Sequence, residues 1–311
     1  MIWPPCGPCG AVAVITAYLI DRLCGEPPTR WHPVVWIGRA LAGVGAPWPQ
    51  AGARAQFARG AAIWVALALV CVAAGIVAER AIAALAALAP PTLAIVARGL
   101  LLGALLKPLL AWRMLRDEVC AVEQALGRSV EAGRERLRHI VGRDTAELTA
   151  TVVRESALES LAENLNDSFV APLFWFCLGG LPAAALYRFA NTADAMYGLR
   201  GRWEWAGKWA ARADDVLSCV PARLTALLLA IAAWRWPGAL PREARRTASP
   251  NGGWPMGMLA LALDVRLSRP GYYVLHAAGH AAGADDIARG LRIAGRAACS
   301  AVVIATLLQF A

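Results

Sequence analysis

Acidic side chains are concentrated in one polar stretch of an otherwise apolar sequence. Ten of the 22 Asp and Glu residues lie between positions 144 and 215. Glu155, Glu159 and Glu163 recur at every fourth position, so in a helix they share one face and repel one another. Water, arginine side chains or a bound cation must offset that repulsion. With Asp167 one turn further along, the row offers the carboxylate ligands that Mg²⁺ uses beside substrate phosphates, and an ordinary solvated helix face is the alternative.

A second polar cluster follows an apolar segment and mixes carboxylates with arginines. Its members are Arg188, Asn191, Asp194, Arg212, Asp214, Asp215 and Arg223. In a magnesium–phosphate site, carboxylates hold the metal ion and guanidinium groups bind phosphate oxygens in a bidentate fork. The sequence therefore predicts metal and phosphate binding here. Charge pairs that merely link cytoplasmic loops are the competing interpretation.

Several familiar kinds of site do not fit this sequence. Neither Lys107 nor Lys208 completes the G-x-x-x-x-G-K-[ST] loop that cradles nucleotide phosphates. His276 and His280 lie four positions apart but lack the intervening Glu of a zinc protease. Cys6 begins a Cys-Gly-Pro-Cys sequence, but the residues before it cannot supply the strand that a thioredoxin site needs. A bound nucleotide would have to be held by arginines and a metal ion.

Two turn-rich segments outside the polar stretch are further candidates. His32 follows Gly-Glu-Pro-Pro, and taken alone it is interpreted as structural. The segment 249–255 is rich in Gly and Pro and follows Arg242, Arg245 and Arg246. Glycines let backbone amides approach an anion closely, so this segment is either an anion-binding loop or an ordinary cytoplasmic loop.

The elements that must position these residues are apolar. The chain is 58% apolar and only 17% charged, which indicates a membrane protein rather than a soluble one. Because a bilayer core needs about 20 apolar helical residues, runs at 61–78 and 92–112 are predicted spans, and runs at 220–234 and 297–311 are marginal ones. The run Ala11–Ile20 lacks a basic leader and is predicted to be a retained first span.

The predicted fold is all-α, a polytopic helical membrane protein forming one embedded domain over residues 1–311. Residues 112–168 are predicted to be a polar helical segment, because Leu and Val recur there at helical intervals. Residues 169–190 are interrupted by Gly179-Gly180-Leu181-Pro182, which predicts either a re-entrant hairpin or a single kinked span.

The distribution of arginines predicts which parts of the chain face the cytoplasm. The segments 21–59 and 113–143 are rich in arginine, so both are expected on the cytoplasmic side of the cell's inner membrane, together with the active site. The net charge of +9 favours anionic substrates or anionic lipid and does not indicate nucleic acid.

A series of short motifs is spread over most of the chain. In order, they are Asp21-Arg22-Leu23-Cys24-Gly25-Glu26-Pro27, His32-Pro33-Val34, Arg143-Asp144-Thr145, Glu159-Ser160-Leu161-Ala162-Glu163-Asn164, Gly179-Gly180-Leu181-Pro182, Asn191-Thr192, Asp214-Asp215, Pro221-Ala222-Arg223 and Ser249-Pro250-Asn251. Through these motifs the sequence resembles the adenosylcobinamide-phosphate synthase family of cobalamin biosynthesis, known as CbiB or CobD. Their order and separation make the resemblance specific.

The resemblance implies an ATP-dependent amide ligase. It would join the corrinoid adenosylcobyric acid to the amine of aminopropanol phosphate, or of a related amino-alcohol phosphate, with Mg²⁺ as cofactor. The residues expected to act in catalysis are Glu159, Glu163, Asp194, Asp214 and Asp215. The expected metal ligands are Glu163, Asp167, Asp194 and Asp215. Substrate and phosphate binding is expected of His32, Arg154, Asn164, Arg188, Asn191, Arg212, Arg223, Ser249 and Asn251.

Departures from the family pattern and two other functions stay open at this stage. Glu26 stands where the family usually has Asp, and Thr247 where it usually has His, which leaves substrate preference open. A magnesium-dependent membrane prenyltransferase would also use acidic clusters, but it predicts a longer aspartate-rich motif than Asp214-Asp215. A transporter would show two similar halves with matching breaks, and only one break is found. The sequence does not determine whether the chain forms a homo-oligomer.

Overall fold

In the described part of the chain the regular structure is helical, apart from one short β-hairpin. The structure is a computed structural model and describes residues 7–44, 51–198 and 203–310, so Cys6 lies outside the described residues. The elements in chain order are α1 (Pro8–Cys24), α2 (Pro33–Val44), α3 (Ala53–Ala86), α4 (Pro91–Leu106), α5 (Trp112–Leu126), α6 (Val130–Leu137), α7 (Ala150–Leu165), α8 (Ala171–Tyr197), α9 (Lys208–Ala233), α10 (Leu240–Ala244), α11 (Gly253–Leu263), β1 (Leu267–Arg269), β2 (Tyr273–Leu275) and α12 (Ala284–Leu308).

The elements form two compact units. Unit 1 consists of residues 1–111, 167–218 and 302–311, and unit 2 of residues 112–166 and 219–301. Unit 1 contains α1 to α4, all of α8, the start of α9 and the end of α12. Unit 2 contains α5 to α7, the rest of α9, α10, α11, the β-hairpin and most of α12.

Five helical segments of the described residues are long and apolar enough to cross a membrane, which confirms a polytopic helical membrane protein. They are Ala53–Ala86, Pro91–Leu126, Ala150–Tyr197, Lys208–Ala233 and Ala284–Leu308. The marginal run 220–234 lies largely in the helix Lys208–Ala233, and the marginal run 297–311 largely in the helix Ala284–Leu308. Each helix is longer than its apolar run because it begins with more polar turns. The predicted first span forms α1, whose 17 residues are not among the five.

In unit 1, small residues allow α1 and α4 to pack closely. A Cβ atom on Gly99 would lie 2.6 Å from Cβ of Val12, and one on Gly103 would lie 2.6 Å from the carbonyl oxygen of Ala13. Helices in membranes associate through such small residues, because apolar lipid provides no hydrophobic driving force between them.

The predicted break in the apolar segment is present within α8. Gly179 and Gly180 depart from helical geometry, and Gly180 has φ 64°, which a glycine adopts without strain. The break frees the amide of Leu181, which donates instead to Oε1 of Glu79 on α3 at 2.7 Å. Whether the two halves form a re-entrant hairpin or one kinked span stays a prediction.

The predicted polar helical segment 112–168 contains α5, α6 and α7 of unit 2, which are separated by turns at 127–129 and 138–149. Ser129 and Thr149 cap α6 and α7 by accepting hydrogen bonds from amides three positions later. The β-hairpin was not predicted, because strands of three residues are too short to show alternation. It pairs Leu267 with Leu275 in antiparallel register.

Candidate active site

Four aspartates of unit 1 come together as one group, here called the aspartate cluster: Asp167, Asp194, Asp214 and Asp215. Asp167 lies in the π-helical turn before α8, Asp194 near the end of α8, and the other two near the start of α9. The carboxylate of Asp214 lies within electrostatic range of the other three, and that of Asp194 is also in range of Asp167 and Asp215. Nδ2 of Asn191 donates to Oδ2 of Asp167 at 3.2 Å. The structure thus brings five predicted site residues together.

Arg188 supplies the positive charge beside the aspartate cluster. Only 8% of this residue is exposed, and its Nη1 donates to the carbonyl oxygen of Asp167 at 3.0 Å and to Oγ of Ser168 at 3.3 Å. Its Nε is buried and has no hydrogen-bond partner among the described residues. Tyr187 is buried next to it and shares a 3.1 Å hydrogen bond with Ser218. Arg188 therefore fixes the turn that carries Asp167.

The aspartate cluster has a composition that suits a cation. Four carboxylates lie near one another, with Arg188 beside Asp167, and like charges held this close disfavour one another unless a cation is added. Oδ1 of Asp214 is buried and accepts no hydrogen bond from any described residue. Among the residues that the structure describes, no three His, Cys, Asp or Glu side chains are arranged to hold a metal ion by themselves. Mg²⁺ commonly binds through one or two carboxylates plus substrate phosphates, so the magnesium assignment stays a prediction.

His32 lies in a buried charged network of unit 1. Nζ of Lys107 lies 2.7 Å from Oε1 of Glu26 and 3.3 Å from Oδ1 of Asp21. The amide of Val34 donates to Nδ1 of His32 at 3.3 Å, so the neutral imidazole carries its proton on Nε2 and donates it to Oε2 of Glu26 at 3.0 Å. His32 is therefore held by the protein itself.

The same network fixes the ionisation of Glu26. Burial raises the pKa of this carboxyl group, but hydrogen bonds from His32 and Lys107 outweigh burial and hold the pKa below its ordinary value. The charge of Glu26 also reaches Arg188. The network is therefore electrostatically connected to the aspartate cluster.

In unit 2, the acidic face of α7 is compensated by arginines. Nη2 of Arg143 donates to Oε2 of Glu159 at 2.9 Å and to Oγ of Ser156 at 2.5 Å. Glu155 is fully buried, accepts from the amide of Ser268 at 3.0 Å, and lies 3.6 Å from Nη2 of Arg266. Ion pairs with arginines therefore offset part of the repulsion that the spacing of these acids predicts.

The segment 249–255 also belongs to unit 2 and lies against α7. Oγ of Ser249 accepts from the amides of Asn251 and Gly252, both at 3.2 Å. Nη1 of Arg223 donates to Oδ1 of Asn251 at 3.1 Å. A Cβ atom on Gly252 would lie 3.2 Å from Oε1 of Glu163, so this backbone approaches the carboxylate closely. The structure brings Glu163, Arg223, Ser249 and Asn251 together, and their roles in metal or substrate binding stay predictions.

Three predicted binding residues have surroundings that the sequence did not indicate. Arg154 makes a two-pronged ion pair with Glu123, at 2.8 and 2.7 Å. Asn164 donates to the carbonyl and hydroxyl of Ser160 one turn earlier on α7. Arg212 is exposed on α9. Their predicted roles in phosphate or substrate binding stay predictions.

Lys107 and Tyr273 are site residues that the sequence analysis missed. The position of Lys107 within an apolar run could have predicted its role, because a lysine there is costly unless an acid pairs with it. No sequence pattern could have predicted the role of Tyr273, since that role depends on the unpredicted β-hairpin. Burial raises the pKa of Tyr273, and the negative charges of Glu159 and Glu163 raise it further, so this phenol stays protonated.

Comparisons with known proteins agree with the resemblance. The family described as CobD/Cbib protein matches residues 14–294. A protein of Brucella anthropi named cobalamin biosynthesis protein CobD is 38% identical over 303 residues, which cover 89% of this chain and 90% of the relative. A protein of the same name from Rhodobacter capsulatus is 37% identical over 305 residues, covering 92% and 93% of the two chains.

The similarity extends to archaea. A protein of Methanothermobacter thermautotrophicus named probable cobalamin biosynthesis protein CobD is 37% identical over 278 residues, covering 84% of this chain and 85% of the relative. No solved structure matches the chain. With matches over most of its length to a family and to several of its members, this chain belongs to the CobD/CbiB family.

Proposed function

We propose that this protein is an ATP-dependent amide ligase of cobalamin biosynthesis. It joins a carboxylate of adenosylcobyric acid to the amine of aminopropanol phosphate or of a related amino-alcohol phosphate. The observation that carries the proposal is the aspartate cluster around buried Arg188, in a member of the CobD/CbiB family. An acidic group of this kind suits a magnesium-bound polyphosphate better than a free anion.

The proposed reaction has two steps. The corrinoid carboxylate attacks the γ-phosphorus of ATP, which forms an acyl phosphate and releases ADP. The free amine then attacks the acyl carbon, which forms the amide bond and releases inorganic phosphate together with the proton of the amine. Neither step requires a nucleophile from the protein, so its contribution is binding, orientation and proton transfer.

The residues of unit 1 support the first step. One or two carboxylates from Asp167, Asp194, Asp214 and Asp215 would hold Mg²⁺ beside the substrate phosphates. When bound, Mg²⁺ would neutralise the phosphate charge that the carboxylate must approach. Arg188 is anchored through Nη1 and has a further donor in Nε, so it would orient a phosphate oxygen.

The proposal also covers the location of the protein. The arginine-rich segments 21–59 and 113–143 support a multi-pass protein of the inner membrane with the active site facing the cytoplasm. ATP and amino-alcohol phosphates are cytoplasmic, water-soluble substrates, so this orientation gives them access.

The test is product formation by detergent-solubilised protein. The protein is given adenosylcobyric acid, ATP, Mg²⁺ and aminopropanol phosphate, and the corrinoid mass is followed. We expect a mass gain equal to the amino-alcohol phosphate minus water. No gain with folded protein contradicts the proposal, and release of pyrophosphate from a prenyl diphosphate would instead indicate the prenyltransferase.

A matched pair of variants tests the aspartate cluster itself. Asp214→Asn removes one charge without changing the shape of the side chain, and turnover should fall at least a hundredfold. Asp117→Asn removes an acid that is 49% exposed and, among the described residues, paired only with arginines of its own helix, so turnover should stay within twofold. Equal activity of Asp214→Asn and Asp117→Asn would place the metal elsewhere.

A further inference from the structure

One face of unit 2 gathers two arginines and two glutamates into a group here called the zwitterion pocket: Arg143, Arg269, Glu159 and Glu163. Arg143 pairs with Glu159 at 2.9 Å, and the charge of Arg269 also reaches Glu159. Glu163 lies one turn further along α7 and is exposed, while the side chain of Glu159 is only 6% exposed. One glutamate of the group is therefore buried, and the other is accessible to solvent.

Both kinds of hydrogen-bonding group in the zwitterion pocket are incompletely satisfied. Nε of Arg143 and Nε of Arg269 are buried donors without a partner among the described residues. Oε1 of Glu159 is a buried acceptor that receives no hydrogen bond from them either. Buried polar groups are nearly always paired, so unpaired donors and an unpaired acceptor at one place indicate a missing ligand.

The β-hairpin holds Arg269 in position. Glu155 binds the amide and the hydroxyl of Ser268 on β1, and Arg266 lies beside the same carboxylate. These contacts fix β1 against α7, so Arg269, the next residue after Ser268, is positioned by the backbone. Tyr273 on β2 lies close to the negative charges of Glu159 and Glu163.

The segment 249–255 packs beside the zwitterion pocket, next to Glu163. Gly252 packs against Glu163 and Met256, because a Cβ atom added to this glycine would lie 3.2 Å from both Oε1 of Glu163 and Cε of Met256. The hydroxyl of Tyr273 donates to Sδ of Met256 at 3.8 Å. Gly252 and Tyr273 therefore both lie next to Met256.

We propose that the zwitterion pocket binds an aminoalkyl phosphate, a small molecule with a phosphate at one end and a primary ammonium group at the other. Arg143 and Arg269 bind the phosphate, and Glu159 and Glu163 bind the ammonium group. This assignment rests on the proposed function, and it locates the amine substrate in unit 2, on residues other than those expected from the sequence to bind phosphate.

The charges of the two groups of residues support this division. The zwitterion pocket has two arginines and two glutamates, so a ligand with one charge of each sign meets a partner for both. The aspartate cluster has four acids, with Arg188 beside Asp167, which suits a metal-bound nucleotide instead. Guanidinium groups also bind phosphate oxygens in a fixed geometry that an ammonium group cannot provide.

Binding is tested without ATP or turnover. Isothermal titration calorimetry is performed on the full-length protein in detergent, with EDTA present, using aminopropanol phosphate and phosphoethanolamine as probes. Inorganic phosphate and ethanolamine are the single-charge controls. We expect saturable binding of the aminoalkyl phosphates and at least tenfold weaker binding of each control.

Variants assign the two ends of the ligand. Arg143→Gln and Arg269→Gln should each raise the Kd of aminopropanol phosphate at least tenfold. Glu163→Gln should raise that Kd at least fivefold and leave the Kd of inorganic phosphate unchanged, because it removes only the ammonium contact. Arg128→Gln, at an exposed arginine between α5 and α6, should change neither Kd.

The outcomes separate this inference from the proposed function. Absence of saturable binding to wild-type protein, or equal affinity for inorganic phosphate, overturns the inference without reference to any variant. Displacement of the probe by MgATP would show that the pocket binds the nucleotide, which also overturns it. Selective binding without amide formation would contradict the proposed function alone. Amide formation with an unchanged KM for aminopropanol phosphate in Arg143→Gln would contradict the inference alone.

Discussion

Replacing Lys107 with methionine should destabilise unit 1 more than any other single loss of a lysine charge. Lys107 is only 2% exposed, and its ammonium group lies between Glu26 and a completely buried Asp21. Methionine has a similar length but no charge, so both carboxylates lose the nearby ammonium group. Removing one partner of a buried ion pair costs about 3–5 kcal/mol, because the other charge stays buried and unpaired.

The assay is thermal unfolding of the detergent-solubilised protein, followed by the fluorescence of its 13 tryptophans. For a domain of this size about 1 kcal/mol corresponds to roughly 2–4 °C, so Tm should fall by roughly 6–20 °C. Lys208→Met is the matched control, since the other lysine is 33% exposed and lies 3.9 Å from its acidic partner. An exposed pair of that kind contributes about 0–1 kcal/mol.

A double variant and a pH series test the reasoning further. Adding Glu26→Gln to Lys107→Met removes a carboxylate that has lost its lysine partner and should restore part of the lost Tm. The pKa of Glu26 is below its ordinary value in the folded protein, so its stabilisation is present at neutral pH and lost as pH falls through the folded pKa. The effect of Lys107→Met should therefore shrink below roughly pH 4. Equal Tm losses for the Lys107→Met and Lys208→Met proteins would refute the account of the buried network.

Three further predictions concern packing and pairing. Glu79→Ala should lower stability by about 1–3 kcal/mol because the amide of Leu181 loses its acceptor, whereas Glu79→Gln keeps an acceptor and should lose less than half as much; Tm of the two variants checks this. Gly103→Leu should lower Tm by forcing α1 and α4 apart, at a cost of about 1–3 kcal/mol or more, and an unchanged Tm would contradict the close contact. Glu123→Gln should lower the free energy of unfolding by no more than about 1 kcal/mol, since its pair with Arg154 is partly exposed, and Tm checks this. The KM of ATP should stay unchanged.

The sequence predicted much of the helical architecture, because its signals are local. Long apolar runs, the polar helices of 112–165 and the break at Gly179-Gly180 all depend on residues close together in the chain. The short β-hairpin left no such signal, since three-residue strands show no alternation. The partition into two units was equally hidden, because it depends on which distant segments pack together.

The candidate site was predicted in composition more fully than in arrangement. The sequence grouped Asp167 with Glu159 and Glu163 as one row, and that grouping stays a prediction. It gave no sign of the hydrogen bonds that join Asp167 to Asn191 and Arg188 within unit 1. The π-helical turn at residues 166–170 changes the helical phase there, and sequence spacing does not reveal such a turn.

The most direct test of the central claim follows one oxygen atom. Adenosylcobyric acid labelled with ¹⁸O in the reacting carboxylate is converted with ATP, Mg²⁺ and aminopropanol phosphate, and the phosphate products are analysed by mass spectrometry. If the carboxylate is activated by ATP as an acyl phosphate, one ¹⁸O atom per amide formed must appear in inorganic phosphate. Amide formation without ¹⁸O in inorganic phosphate would contradict the account.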